Sequence, residues 1–473
     1  MESGGPSEIS ESDRQAFARG EALLRAGEVR GATETFRAVR GLEVLLTQVS
    51  PDGRPVAGPD FLIIGAPAGG TTWLKRALRH HPDVFLPPGE PHYFWKRLDQ
   101  APTAYVAELA RPVRAHSQRP VVGEKSPGYL TMSDERIALC AALFPELRLV
   151  CHVREPVARA WSMIRRLGLF GAGAAAAPDP DVLGAFRELQ RIIQFGFYRS
   201  HLQRWAAHFP PERFLLLDFE RVESEPEAVY QQVLSHIGAA SHPFRAPSGG
   251  PEPRPPLPTG IRRVLEEVYR GEPWELPVLR QALDQVHGGA GGDPQSPSLK
   301  ARTRLAAWQL ILESPVGHVD AHGRLAALLA KSGRPEEAVP HLEALTRLEP
   351  DVANHWRDLA KQLQVAGAGA RAIAAWNGLL AAAPGDLQAH ANLARLYAGE
   401  GRPAEAAEHF RVEADAFPGD AKAWRRLAAC LGRAGDPAGE LDALTRALEI
   451  DGSQSKVKAR TTALRKRLKG RLL

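Results

Sequence analysis

At 473 residues the chain has room for two or three domains, and 44% hydrophobic with 24% charged residues is a globular composition that excludes a disordered protein. Three cysteines (Cys140, Cys151, Cys430) with no CxxC pair exclude a disulfide framework or a zinc ribbon and point to a reducing, cytoplasmic setting. A net charge of +5 permits an anionic ligand without arguing for nucleic acid, no apolar run reaches the roughly 18 residues of a membrane span, and the first residues do not read as a secretory leader.

Residues 1–50 contain one helical hairpin, GEALLRAGEVRGATETF within 13–46, which needs a neighbour to cover its apolar face. The Pro/Gly-rich stretch 50–59 then marks a joint. From 60 to 285 the pattern changes. Phe61–Ile64, Leu147–Val153 and Phe214–Leu217 read as buried strands with helical segments between them, which predicts a parallel α/β sheet with helices on both faces.

Two segments of this region look built for anions. After the first strand, Gly65-Ala66-Pro67-Ala68-Gly69-Gly70-Thr71-Thr72-Trp73 leads directly into a helix. A glycine-rich turn there lets backbone N–H groups converge on an anion at the positive helix end, and Thr71 and Thr72 add hydroxyls. The spacing is that of a P-loop, but Thr71 stands where a nucleotide hydrolase needs its lysine, which makes a kinase or ATPase a weak alternative. The second segment is LRLVCHVREPVARAWS, where Arg154 ends a strand and Ser162 follows eight residues later on a helix. An arginine fork and a hydroxyl at the carboxyl end of a parallel strand suit a second phosphate.

Further joints lie at 171–181, 246–260 and 288–298, the last read as a linker within 286–318 that ends in a helix. From 319 to 452 the sequence repeats every 34 residues: Leu325, Leu359, Leu393 and Leu427 form one series, and Gly333, Gly367, Gly401 and Gly435 another. Pro350, Pro384 and Pro418 close the units, and His322, Trp356, His390 and Trp424 precede the leucines by three. Each unit reads as two amphipathic helices around a glycine turn, and such units must stack to bury their faces. They resemble tetratricopeptide repeats, which implies an all-α solenoid and a protein or peptide partner. The tail 453–473 is strongly basic, and Val457, Leu464, Leu468 and Leu472 align as the stripe of a capping helix. Docking of that tail on nucleic acid or acidic lipid is the lesser alternative.

Taken in order, GAPAGGTTWL, EPHYFW, GEKSPGYL, LVCHVREPVARAWS, YRSHLQRW and FLLLDFE resemble the sulfotransferases of the Golgi-type and bacterial branch, over roughly 60–285. That family uses 3′-phosphoadenosine 5′-phosphosulfate (PAPS) as donor. The resemblance implies that Gly65, Pro67, Ala68, Gly69, Gly70, Thr71, Thr72 and Trp73 hold the 5′-phosphosulfate and that Arg154 and Ser162 hold the 3′-phosphate. It also implies Glu90 as the base, with His92 as second choice, and Lys125 at the active site. Tyr198 is expected near cofactor or acceptor, or in the core. The acceptor is expected to be a hydroxyl or amine on a sugar, peptide or metabolite, with no metal required. Two family lysines are absent: the loop has Ala68 and the residue before the base is Gly89. One lost donor typically costs about 10²–10³ in rate, so a PAPS-binding pseudoenzyme serving as a repeat scaffold is the alternative. Lys75, one turn into the helix, is expected to point away.

Overall fold

The computed structural model describes residues 9–111, 113, 120–167, 182–247, 256–285, 296–314 and 318–469. The joint at 171–181, most of 288–298, part of 246–260 and Leu472 lie outside the described residues. Two compact units result, Met1–Val316 and Gly317–Leu473. Among the described residues no helix is long and apolar enough to cross a membrane, and all three cysteines are free and buried.

In the first unit, β1 (Gln48–Val49) and β2 (Pro55–Val56) form a short antiparallel ribbon in the stretch read as a joint. The main sheet comprises β3 (Phe61–Gly65), β4 (Val84–Phe85), β5 (Val121–Lys125), β6 (Arg148–Val153) and β7 (Phe214–Asp218), in the order β4-β5-β3-β6-β7 and parallel throughout. Strand alternation sorts the side chains onto two cores. Leu62, Ile64, Leu149 and Cys151 face one apolar layer, which also holds Tyr105, Tyr129 and Trp205. Phe61, Ile63, Val150 and Leu217 face the other, closed by Leu74 and Leu78 of the Thr71–Leu78 helix and by Val229 and Val233 of the Pro226–Ile237 helix. Both faces are covered, which is why these strands read as continuous apolar runs.

From β3 the chain moves outward to β4 and β5 on one side, and from β6 to β7 on the other. The gap between the carboxyl ends of β3 and β6 is therefore the topological switch point, where open parallel sheets bind ligands.

The N-terminal hairpin, Glu11–Arg25 and Val29–Ala38, joins the first core: Phe17, Leu24 and Phe36 share it with Leu139 and Cys140 of the Asp134–Leu143 helix. The Pro297–Leu312 helix also belongs to this unit, its Trp308 stacked on Phe186 at 4.2 Å.

The second unit is four helical hairpins, from His318–Lys331 with Pro335–Leu348 through to Ala421–Ala434 with Pro437–Ile450. Gly333, Gly367, Gly401 and Gly435 sit at φ +70 to +80°, the left-handed conformation each inter-helix turn requires. The Ser455–Lys469 helix caps the stack: Thr461 and Leu464 are buried, and Arg460 forms two hydrogen bonds to Glu440, at 2.7 and 2.9 Å.

Candidate active site

The loop after β3 is tied to β6 by the Ala66 N–H donating to the His152 carbonyl at 2.9 Å. The Gly69 N–H turns back to the Ala66 carbonyl at 3.0 Å, so it is committed to the turn and does not face a ligand. Donors for an anion come instead from the first turn of the Thr71–Leu78 helix, whose opening N–H groups have no intrahelical acceptor. Ala68 at φ +62° and Gly70 at φ +99° bend the backbone into that position. A Cβ at Gly70 would lie 3.1 Å from the Phe219 ring and 3.2 Å from His152 Nδ1, which leaves little room for another residue. Gly65 is packed under Leu130, and Trp73 leans on Phe244 with 6.0 Å between ring centroids, outside the cleft lining. Pro67 is half-buried and likewise does not line it.

Arg154 lies directly across this loop. It is 8% exposed, donates from Nη1 to the Ala68 carbonyl at 2.9 Å, and rests on the Phe219 ring at 4.3 Å. Tyr198 is fully buried and does not line the cleft; its hydroxyl accepts from the Arg154 N–H at 3.2 Å and donates to the Arg154 carbonyl at 2.9 Å. It therefore acts on the site through the backbone of Arg154. Glu155 caps the Pro156–Ile164 helix through the N–H groups of Val157 and Ala158, which brings Ser162 round to the same side. Ala68, Gly70, Thr71, Thr72, Arg154 and Ser162 line one open cleft of about 840 Å³.

A second cleft of about 380 Å³ adjoins it, lined by Lys75, Arg79, Pro88, Gly89, Glu90 and Lys125, and the two share Thr72 and Arg76. Lys125, nearly buried at the end of β5, forms an ion pair with Glu90 and also donates to Thr72 Oγ1 at 3.3 Å. His92 Nε2 meets the other Glu90 oxygen at 3.1 Å. Thr72, Lys125, Glu90 and His92 thus form one chain running from the loop into the second cleft. Burial pushes the His92 imidazole pKa down, and the neighbouring Glu90 charge opposes that shift.

The expectation for Lys75 is corrected. It turns inward and donates to the Pro88 and Gly89 carbonyls at 2.8 and 2.6 Å, fixing the segment that carries Glu90. Burial, reinforced by the Lys125 charge, lowers its pKa. Two further residues are visible only in three dimensions. Arg76 shares both clefts, and its one sequence signal is its place four residues after Thr72. Glu124 is fully buried and accepts hydrogen bonds from Ser126 Oγ at 2.5 Å, the His92 N–H at 3.2 Å and the Tyr105 hydroxyl. Among the described residues no cluster of three or more His, Cys, Asp or Glu is arranged to hold a metal ion.

An anion-binding turn facing an arginine across the β3/β6 switch, with a carboxylate–lysine pair alongside, agrees with comparison to known proteins. Residues 58–246 match the sulfotransferase domain, and 324–386, 360–421 and 393–455 match the tetratricopeptide repeat. The chain belongs to the sulfotransferases, with tetratricopeptide repeats fused behind. Heparan sulfate glucosamine 3-O-sulfotransferase 6 from Homo sapiens is 28% identical over 242 residues, 45% of this chain and 69% of that protein. Heparan sulfate glucosamine 3-O-sulfotransferase 3B1 from Homo sapiens is 29% identical over 192 residues, 38% of this chain and 46% of that protein. The chain thus spans less than half the length of the second relative. A sulfotransferase crystal structure from Alicyclobacillus acidocaldarius aligns at 20% identity with a TM-score of 0.38, covering 50% of this chain and 98% of that one.

Proposed function

We propose that the first unit of this sulfotransferase transfers a sulfuryl group from PAPS to a hydroxyl or amine, on a saccharide as the names of its relatives suggest. The observation that carries this reading is Lys125, which bridges Thr72 of the anion loop to Glu90 at the seam between the two clefts. The residues fit the donor. Arg154 and Ser162 would take its 3′-phosphate, and the first-turn N–H groups and Thr71 its 5′-phosphosulfate.

In the reaction the acceptor oxygen or nitrogen bonds to sulfur while the bond from sulfur to the bridging phosphate oxygen breaks. Its electron pair stays on the 5′-phosphate of the departing 3′-phosphoadenosine 5′-phosphate. The acceptor proton passes to the Glu90 carboxylate, and Lys125 steadies the charge growing on the leaving oxygen. His92, against the far oxygen of Glu90, orients the base. The solenoid is read as a docking surface for a protein or peptide partner, within a protein that works in the cytoplasm.

A second reading rests on Ala68 and Gly89: a PAPS-binding protein without turnover, whose repeats do the work. Calorimetric titration with 3′-phosphoadenosine 5′-phosphate tests the donor site. Micromolar binding is expected, absent with ATP and at least tenfold weaker in Arg154→Ala. Absence of binding would overturn the donor assignment. Binding without PAPS consumption across saccharide acceptors would favour the second reading.

A further inference from the structure

The cations around the two clefts are unevenly committed. Lys75 spends its ammonium on the Pro88 and Gly89 carbonyls. Lys125 is shared between Glu90 and Thr72, and Arg154 holds the Ala68 carbonyl. Arg76 is exposed, and no hydrogen bond or ion pair of its side chain occurs among the described residues. It alone among the cationic residues borders both clefts; Arg79, one turn further on, borders only the second.

Helix geometry aims Arg76 at the seam. It lies four residues after Thr72, hence on the same face and about 6 Å further along the axis. Side chains on a helix lean back toward its N-terminus, so the guanidinium projects toward Thr72 and the anion loop, a distance an extended arginine spans. The loop itself offers no side-chain charge, because position 68 is alanine.

We infer that Arg76 supplies from the helix the cation that the loop lacks at Ala68, binding the 5′-phosphosulfate end of the donor where the two clefts meet. The inference rests on the donor assignment proposed above. A guanidinium fork matches two phosphate or sulfate oxygens at once, which a loop lysine does not. It acts from the side of the second cleft, so acceptor and donor would share one arginine.

The test is a four-variant cycle in the full chain, titrated with 3′-phosphoadenosine 5′-phosphate: wild type, Arg76→Ala, Ala68→Lys and both together. Arg76→Ala is expected to weaken binding roughly 10- to 100-fold, as for the loss of a charge-assisted hydrogen bond, with an unchanged melting temperature because the side chain is exposed. Arg76→Lys should retain part of the affinity. Ala68 already holds φ +62°, so a lysine there adds no new backbone strain. Ala68→Lys should gain less than about threefold in the wild type yet recover most of the loss in the Arg76→Ala background, as expected of coupled sites. Unchanged affinity in Arg76→Ala, or an equal gain from Ala68→Lys in both backgrounds, would overturn the inference and leave the donor site standing. A wild type that binds no 3′-phosphoadenosine 5′-phosphate overturns both.

Discussion

Consecutive residues of β5 do opposite jobs. Alternation sends Lys125 to the cleft and Glu124 into the apolar layer with Tyr105 and Tyr129. Burial pushes the Glu124 carboxyl pKa up, and its hydrogen bonds from Ser126, Tyr105, Tyr129 and the His92 backbone pull the other way. The bond to the His92 N–H matters most for the site, since it holds His92 at φ +53° beside Glu90. Glu124→Gln keeps the shape but turns an NH₂ group toward partners that are themselves donors. The expected cost is about 1–3 kcal/mol, read as a lower urea midpoint with an unchanged slope. An equal midpoint would show that the carboxylate is dispensable to the packing of that loop.

Elements with a strong period were readable from sequence alone. Strands β3, β6 and β7 announce themselves as apolar runs, and the repeat glycines fall at the predicted turns. Strand β5 was not readable: Val121-Val122-Gly123-Glu124-Lys125 spends two of five positions on charge, and a Cβ at Gly123 would lie 2.2 Å from the Phe61 ring. The anion loop and Arg154 were legible through their order along the chain. The inward turn of Lys75 was not, because the Pro88 and Gly89 carbonyls reach it only through tertiary contact.

The repeats also contain an internal exchange. Where the first helix of a unit carries His322 or His390, the second carries His341 or His409, with Nδ1 atoms 3.0 and 2.9 Å apart. Where it carries Trp356 or Trp424, the corresponding positions are Ala375 and Ala443. A larger ring on one helix is thus matched by a smaller residue opposite. His322→Trp alone is expected to destabilise by about 1–3 kcal/mol through overpacking. Adding His341→Ala should recover most of that, and two independent losses would contradict the pairing.

Across the molecule, stability at acid pH hinges on imidazoles that the fold keeps neutral. In the first unit burial pushes His152 down to about 4 and His201 down to about 3; in the solenoid burial, with the His341 neighbour, pushes His322 down to about 4. The unfolded chain takes up these protons near the ordinary histidine value of about 6.5, whereas the folded chain does so only near the depressed values. The unfolded state therefore binds more protons throughout that interval, and stability falls as pH drops from about 6.5 toward 4. For His152, fully buried and with no hydrogen bond to either ring nitrogen, the difference is of order 3 kcal/mol, a large part of a domain's whole stability. Glu124 works the other way, because a raised carboxyl pKa favours the folded state as it becomes protonated; this offsets part of the loss. His152→Leu removes both the proton uptake and an unpartnered polar ring at the Gly69–Gly70 turn. Urea midpoints of the full chain between pH 7 and 5 should then fall less steeply in the variant than in the wild type, by about one proton per unfolding event. Parallel slopes would mean that the fold does not hold this imidazole neutral.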